Sequence, residues 1–95
     1  MKLSSEDCER IALFAKTFSN PIRVKLMCAL YERPFNVTDL CRLISAKESN
    51  ISQQLRYLWN QGYLEKERKG REIIYSIKGK MVFKVLIKLR DLTKK

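Results

Sequence analysis

The sequence predicts a mainly helical fold with one small β-hairpin, in the order α-α-α-α-β-β-α. Before Gly62, apolar residues recur at helical spacing in four segments; after it, residues 63–77 alternate with a period of two around Gly70. A helical pattern then returns from Lys80. With 95 residues, 45% of them apolar, and no internal repeat or linker, the chain is expected to form one domain over residues 1–95.

The first two helices have distinct start signals. A serine, Ser4 or Ser5, caps a helix that ends at Phe18. Asn20 caps the second helix, and Pro21 takes its first position, where a missing N–H costs nothing. Both helices carry broad apolar arcs, which comprise Ile11, Leu13, Phe14, Ala15 and Phe18 in the first and Ile22, Leu26, Met27 and Leu30 in the second.

Two shorter helices follow. Asn36 caps the third, with Asp39 as its capping-box partner. The fourth runs from Ser49 to Asn60, and Gly62 ends it in the left-handed conformation. The inward positions are Val37, Leu40, Leu43 and Ile44 in the third helix and Ile51, Leu55 and Leu58 in the fourth.

A basic hairpin and a fifth helix complete the pattern. Strands over 63–68 and 71–77 flank the turn at Gly70, and the last helix runs from about Lys80 to Thr93. Two short helices directly before such a hairpin are typical of a winged helix-turn-helix. The last helix carries apolar residues outside its main stripe, so we expect a homodimer through the first and last helices. The stripe is Val82, Val85, Leu86, Leu89 and Leu92, and the surplus is Met81, Phe83 and Ile87.

The excess of positive charge indicates which kind of partner the chain binds. The chain has 20 Lys plus Arg against 10 Asp plus Glu and no His, so nucleic acid or anionic lipid is the natural ligand. No apolar run approaches a membrane span, and residues 4–7 turn acidic where a secretion signal needs apolar residues, so we expect a cytoplasmic protein. Without His or a glycine-rich phosphate loop, we expect no enzyme activity, no small-molecule substrate and no cofactor.

The fourth helix and the hairpin carry the predicted DNA contacts. The face opposite the core presents polar, mostly uncharged side chains, which can bind base edges in the major groove. The hairpin tip around Gly70 is crowded with the cations Lys66, Arg68, Lys69 and Arg71, which suit phosphates. The predicted DNA-binding residues are Lys47, Ser49, Asn50, Ser52, Gln53, Arg56, Lys66, Arg68, Lys69 and Arg71. The alternative is a winged-helix module for protein contacts or non-specific DNA packaging.

These segments together resemble the ArsR/SmtB family of bacterial and archaeal repressors. The resemblance rests on residues 20–23, 35–40, 49–64, 68–71 and 75–77. It implies a homodimeric winged-helix repressor that binds a palindromic operator on double-stranded DNA and releases it when an inducer is sensed. Gln54 stands where many members have His.

The cysteines are the candidate residues for sensing the inducer. Metal-sensing members commonly carry Cys-x-Cys in the third helix, where this chain has Asn36 and Thr38, so we expect no metal site and no control by zinc. Cys28 resembles the second-helix cysteine of sulfur-sensing, biofilm-related members, although the last helix lacks their partner cysteine. We therefore expect any response to be thiol oxidation or persulfide chemistry at Cys28, with Cys8 as its partner. For Cys28 itself, the favoured interpretation is a small, inert, buried apolar side chain, and the sensing role is the alternative.

Overall fold

The computed structural model describes residues 2–94 and has the architecture of a winged helix-turn-helix. Its helices are α1 (Ser5–Lys16), α2 (Pro21–Glu32), α3 (Val37–Ile44), α4 (Glu48–Asn60) and α5 (Met81–Thr93). Its strands are β1 (Phe35–Asn36), β2 (Leu64–Lys69) and β3 (Glu72–Ile77). The five predicted helices and the predicted hairpin are confirmed.

Side-chain caps fix the starts of the first three helices. Ser4 and Asp7 form a reciprocal capping box at α1, and Asn20 Oδ1 accepts from the first free N–H groups of α2. At α3, Asn36 Oδ1 accepts from the backbone of Asp39, 2.8 Å away, which is one half of the predicted capping box. The fourth helix begins at Glu48, one residue before the predicted start, and its N-cap, Lys47, makes no side-chain cap bond.

The sheet has three strands, in the order β1-β3-β2, where the sequence predicted two. The extra strand pairs Phe35 with Tyr75 and Asn36 with Ile74. It is two residues long, too short for an alternating pattern to predict it. Asn36 Nδ2 also donates to Glu72 Oε1, 3.0 Å away. These contacts attach the hairpin to the start of α3, which gives the wing a fixed base.

The core lies between α2, α3 and α4, and the inward positions predicted for α4 are confirmed. Its buried apolar residues are Leu26, Met27, Leu30, Phe35, Leu40, Ile51, Leu55, Leu58, Leu64 and Val82. One prediction for α3 is wrong: Leu43 is 58% exposed rather than inward. With eight residues, α3 covers the core with a narrow stripe centred on Leu40, and Leu43 lies beyond its edge.

The first and last helices leave most of their apolar surface uncovered. No residue of α1 is buried, and Val82 is the one buried residue of α5. In the single chain the far end of the predicted stripe of α5 is uncovered, since Leu92 is 79% exposed. Helices α1, α2 and α5 border an apolar groove of about 1010 Å³. No helix within residues 2–94 is both long enough and apolar enough to span a membrane.

Candidate nucleic-acid interface

The outer face of α4 presents the polar side chains that the sequence assigned to DNA contact. Ser49, Gln53 and Arg56 are exposed, while Asn50 and Ser52 are half-buried at the flanks of this face. All except Arg56 lie in the amino-terminal half of α4, the part of a recognition helix that meets base edges. The fold therefore brings these five residues onto one accessible face.

One flank of this face is attached to the body of the protein by a buried polar pair. Arg23 Nη1 donates to Gln54 Oε1 across 2.9 Å, and the two residues are only 8% and 7% exposed. Gln54 Nε2 then donates to Asn50 Oδ1, 3.2 Å away. Gln54 therefore points into the protein, and its amide contacts the outer face of α4 through Asn50.

The guanidinium of Arg23 is held on three sides. Its Nε and Nη2 donate to the carbonyl oxygens of Thr17 and Lys16, at 3.1 and 2.7 Å. Both carbonyls lie at the carboxyl end of α1, where the helix dipole is negative, and the carbonyl of Lys16 also accepts from the backbone N–H and the hydroxyl of Ser19. The guanidinium carbon also lies 4.0 Å from the ring centre of Tyr57 on α4. Within residues 2–94 no carboxylate pairs with Arg23, so neutral acceptors and the end of α1 compensate its charge.

The sequence analysis missed Arg23 and left Gln54 without a structural role. A signal was nonetheless present. Arg23 lies on the apolar face of α2, four residues before Met27, and Gln54 lies on the inner face of α4, three residues after Ile51. Polar groups on two inward faces must satisfy each other or lose hydrogen bonds on burial. The pattern could have predicted a buried Arg–Gln contact between these helices.

The wing carries cations on both of its faces, whereas its acidic side chains lie on one. Lys66 and Arg68 alternate with their neighbours so that they share the face of buried Leu64, the side on which α4 packs. The opposite face carries Glu65, Glu67 and, across from Lys69, Glu72. The basic face of the wing therefore lies on the side of α4, and the acidic side chains point away from it.

The four predicted wing cations occupy two different places. Arg68, Lys69 and Arg71 are exposed around the turn at Gly70, and Arg68 Nη1 lies 3.5 Å from the Gly70 carbonyl oxygen. Lys66 lies further back, with Nζ 4.4 Å from the ring centre of Trp59 at the end of α4. It is therefore not at the tip, where the sequence analysis placed it. Lys47 is exposed at the N-cap of α4.

The three cysteines are free thiols on three different helices. Cys8 on α1 is exposed, and Cys41 on α3 is half-buried. Cys28 is also exposed, so the favoured interpretation, a buried apolar side chain, is wrong for the single chain. It lies on the side of α2 opposite buried Leu26 and Leu30, because each helical residue rotates the chain by about 100°.

Cys28 lines the apolar groove, and partial exclusion of water raises the pKa of its thiol. The negative charge of Glu32, one turn further along α2, raises this pKa as well. The described residues include no group of three Cys, Asp or Glu side chains placed to hold a metal ion.

Comparisons with known proteins show which family the chain resembles. Residues 20–66 match the family described as "Bacterial regulatory protein, arsR family". This segment contains α2, α3, α4 and the start of β2, and therefore the whole predicted base-recognition face.

Two relatives and one solved structure extend the match over most of the chain. The HTH-type transcriptional regulator NmtR of Mycobacterium tuberculosis is 35% identical over 75 residues, 79% of this chain and 62% of the relative. The transcriptional repressor SmtB homolog of Synechocystis is 30% identical over 89 residues, 94% of this chain and 67% of the relative. The crystal structure of the transcriptional repressor BigR from Xylella fastidiosa superposes with a TM-score of 0.81 at 29% identity, covering 98% of this chain and 99% of that one. The chain therefore belongs to the ArsR family of bacterial regulatory proteins.

Proposed function

We propose that the protein is a transcriptional repressor that binds a palindromic operator on double-stranded DNA as a homodimer. In this proposal α4 enters the major groove, and the exposed side chains of Ser49, Gln53 and Arg56 contact base edges. Arg68, Lys69 and Arg71 of the wing bind the phosphate backbone beside the same site, and Lys47 and Lys66 add further positive charge.

The observation that carries the proposal is the shared orientation of two different surfaces. The outer face of α4 is polar and mostly uncharged, and the wing directs Lys66 and Arg68 to the side of that helix. Uncharged amides and hydroxyls can distinguish bases, whereas cations bind any duplex through its phosphates. A surface that combines them fits sequence-specific binding better than packaging, for which cations alone suffice.

The groove between α1, α2 and α5 supports the dimeric part of the proposal. It is apolar, and Ile11, Phe14, Leu86 and Leu89 line it. A second copy of α1 and α5 would cover these apolar side chains. A two-fold axis there would place two copies of α4 about 34 Å apart, one turn of DNA, as a palindrome requires.

Selection of DNA from a random pool tests the proposal. We expect the purified protein to enrich duplexes with two inverted half-sites whose centres are about 10 base pairs apart. Enrichment of a single, non-repeated site would overturn the dimeric arrangement. A pool that stays random after several rounds would overturn sequence-specific binding altogether and favour a packaging role.

The response to an inducer through thiol chemistry at Cys28 is a prediction made from the sequence. Cys28 lines the groove proposed as the dimer interface. Oxidation or persulfide formation at its sulfur would therefore place a polar group against the apolar side chains of that groove. Its raised pKa opposes this role, because the thiolate is the reactive form. Cys8 lies on α1, outside the lining of that groove. The sensing role of Cys28 is tested by comparing the effect of polysulfide on the operator affinities of the native chain and of Cys28→Ser.

A further inference from the structure

The buried contact between Arg23 and Gln54 fixes which end of the Gln54 amide faces which neighbour. A guanidinium has five N–H donors and no acceptor, so Arg23 can bind only the oxygen of Gln54. That oxygen lies 2.9 Å from Arg23 Nη1. The opposite end of the amide, Nε2, is a donor and faces Asn50. The charge of Arg23 therefore sets the direction of the Gln54 amide.

The same reasoning applies one step further along α4. Gln54 Nε2 can only donate, so Asn50 must present Oδ1 to it, and the two atoms are 3.2 Å apart. The other end of the Asn50 amide, Nδ2, is left for an outside partner. Asn50 is half-buried at the flank of the outer face of α4, next to Ser49 and one turn before Gln53. Its free end is thus a hydrogen-bond donor at the edge of the face proposed to meet DNA.

The Arg23 guanidinium, the first group in this series of hydrogen bonds, is held in one orientation by its other contacts. The carbonyls of Lys16 and Thr17 hold the guanidinium of Arg23 from the end of α1, and the ring of Tyr57 lies against its face. Every partner of Arg23 in this pocket is an acceptor or an aromatic face, which suits a cation. The orientations of the Gln54 and Asn50 amides both follow from the fixed position of the Arg23 donor.

We propose that Arg23 and Gln54 are specificity-determining residues, which hold the Asn50 amide so that it offers DNA a donor rather than an acceptor. The inference rests on the proposed function. The DNA group that Asn50 contacts is then an acceptor, either a phosphate oxygen or an acceptor on a base edge, such as guanine N7 and O6 or thymine O4. Neither Arg23 nor Gln54 touches the DNA itself.

The substitution Gln54→Glu reverses the direction of the last amide while it preserves the Arg23 contact. A carboxylate accepts at both oxygens, so Asn50 must turn Nδ2 inward and present Oδ1 outward. If Asn50 contacts a base, the sequence selected from a random pool should change at one position of each half-site. We expect a shift of about tenfold away from an acceptor base and toward cytosine or adenine, whose exocyclic amines donate. If Asn50 contacts a phosphate, we expect an affinity loss of about tenfold that is equal on all sequences.

A second variant gives the same switch without altering the buried pair. Asn50→Asp still accepts from Gln54 and presents an oxygen outward, so it should change base preference or affinity in the same way as Gln54→Glu. Because Asn50 is half-buried at the surface, this variant is expected to fold even where Gln54→Glu does not. Urea unfolding of each variant measures the folded fraction before DNA binding is compared.

Two controls separate this effect from added negative charge and from misfolding. Gln61→Glu makes the same chemical change at an exposed position beyond the end of α4. In an Asn50→Ala background, Gln54→Glu should alter neither base preference nor affinity beyond the effect of Gln61→Glu. The inference is overturned if folded Gln54→Glu selects the wild-type operator with the affinity of Gln61→Glu, or if its effect persists without Asn50. A wild-type protein that selects no sequence would instead overturn the proposed function, and the inference with it.

Discussion

Arg23 Nη1 donates to Gln54 Oε1 across 2.9 Å, and this buried hydrogen bond joins α2 to α4. Both side chains lie on faces that otherwise pack apolar residues. A buried polar group that loses its partner bears the full cost of its desolvation, so neither residue is replaceable alone without penalty. Helix α4 is therefore attached to the rest of the chain by polar contacts as well as by apolar packing.

The first prediction concerns the stability provided by this pair. Gln54→Leu leaves the Arg23 guanidinium short of one acceptor in a buried site, so the free energy of unfolding should fall by about 1–3 kcal/mol. Urea unfolding followed by circular dichroism measures it. Gln53→Leu, at the exposed neighbouring position, should change the free energy of unfolding by about 0.5 kcal/mol or less. Equal losses for the two variants would show that the Arg23–Gln54 bond adds nothing.

The second prediction separates base contacts from phosphate contacts. Gln53→Ala should cost about 1–3 kcal/mol of binding free energy on the selected operator and little on random duplex, because an exposed amide on α4 distinguishes bases. Arg68→Ala and Arg71→Ala should weaken binding to both duplexes and reduce the salt dependence by about one phosphate contact each. Fluorescence anisotropy titrations at three salt concentrations measure both effects. Equal losses on the two duplexes for Gln53→Ala would contradict a role in base recognition.

The order of elements and the recognition face could be predicted from sequence because local patterns encode them. Asn20-Pro21, Asn36 and Gly62 mark helix ends through backbone chemistry that depends on adjacent residues. The inward positions Ile51, Leu55 and Leu58 follow from the helical period alone. Such signals need no knowledge of the tertiary structure.

The features that could not be predicted depend on contacts between distant segments. The strand β1 exists because residues 35–36 meet β3, about 40 residues later in the chain. The exposure of Leu43 depends on how much of α3 the neighbouring elements cover, which periodicity does not state, whereas the helical period alone places Cys28 opposite Leu26 and Leu30. Lys66 lies on Trp59 for a similar reason, since the approach of β2 to α4 decides which residue it meets.

The third prediction tests the proposed dimer interface. Leu89 of α5 lines the apolar groove and is 37% exposed, so Leu89→Glu should place a charge in the interface without disturbing the core. We expect sedimentation equilibrium at micromolar concentration to give a dimer for the native chain and a monomer for this variant. The helical circular dichroism signal should be retained, and operator affinity should be lost.

Leu43→Glu serves as the matched control for the dimer, because Leu43 is an exposed leucine of α3 that lies outside the groove. This variant should sediment as the native chain does. A native chain that sediments as a monomer, or a Leu89→Glu variant that stays dimeric, would place the interface elsewhere.

The fourth prediction follows from the raised pKa of Cys28. In a chain with Cys8→Ser and Cys41→Ser, alkylation of Cys28 by iodoacetamide should reach half its maximum rate at a higher pH than a free thiol, for which the midpoint is about 8.5. Glu32→Gln removes a negative charge that disfavours the thiolate, so it should lower this midpoint and speed the reaction at pH 7. A midpoint at or below that of the free thiol would contradict the account.

The sensing role that the sequence predicts for Cys28 is tested by treating the protein with polysulfide. If Cys28 is the sensor, polysulfide treatment should lower the operator affinity of the native chain and leave that of Cys28→Ser unchanged. An affinity that polysulfide does not alter in the native chain would exclude Cys28 as a sensor of this chemistry.

The ratio of affinities for the selected operator and for random duplex tests the central claim most directly. Both are measured at the same salt concentration, because phosphate contacts alone change affinity by orders of magnitude with salt. If α4 contacts base edges while the wing binds phosphate, the operator should bind about 10³-fold more tightly or better. A ratio near one would contradict sequence-specific repression and leave a fold that binds DNA through its charge alone.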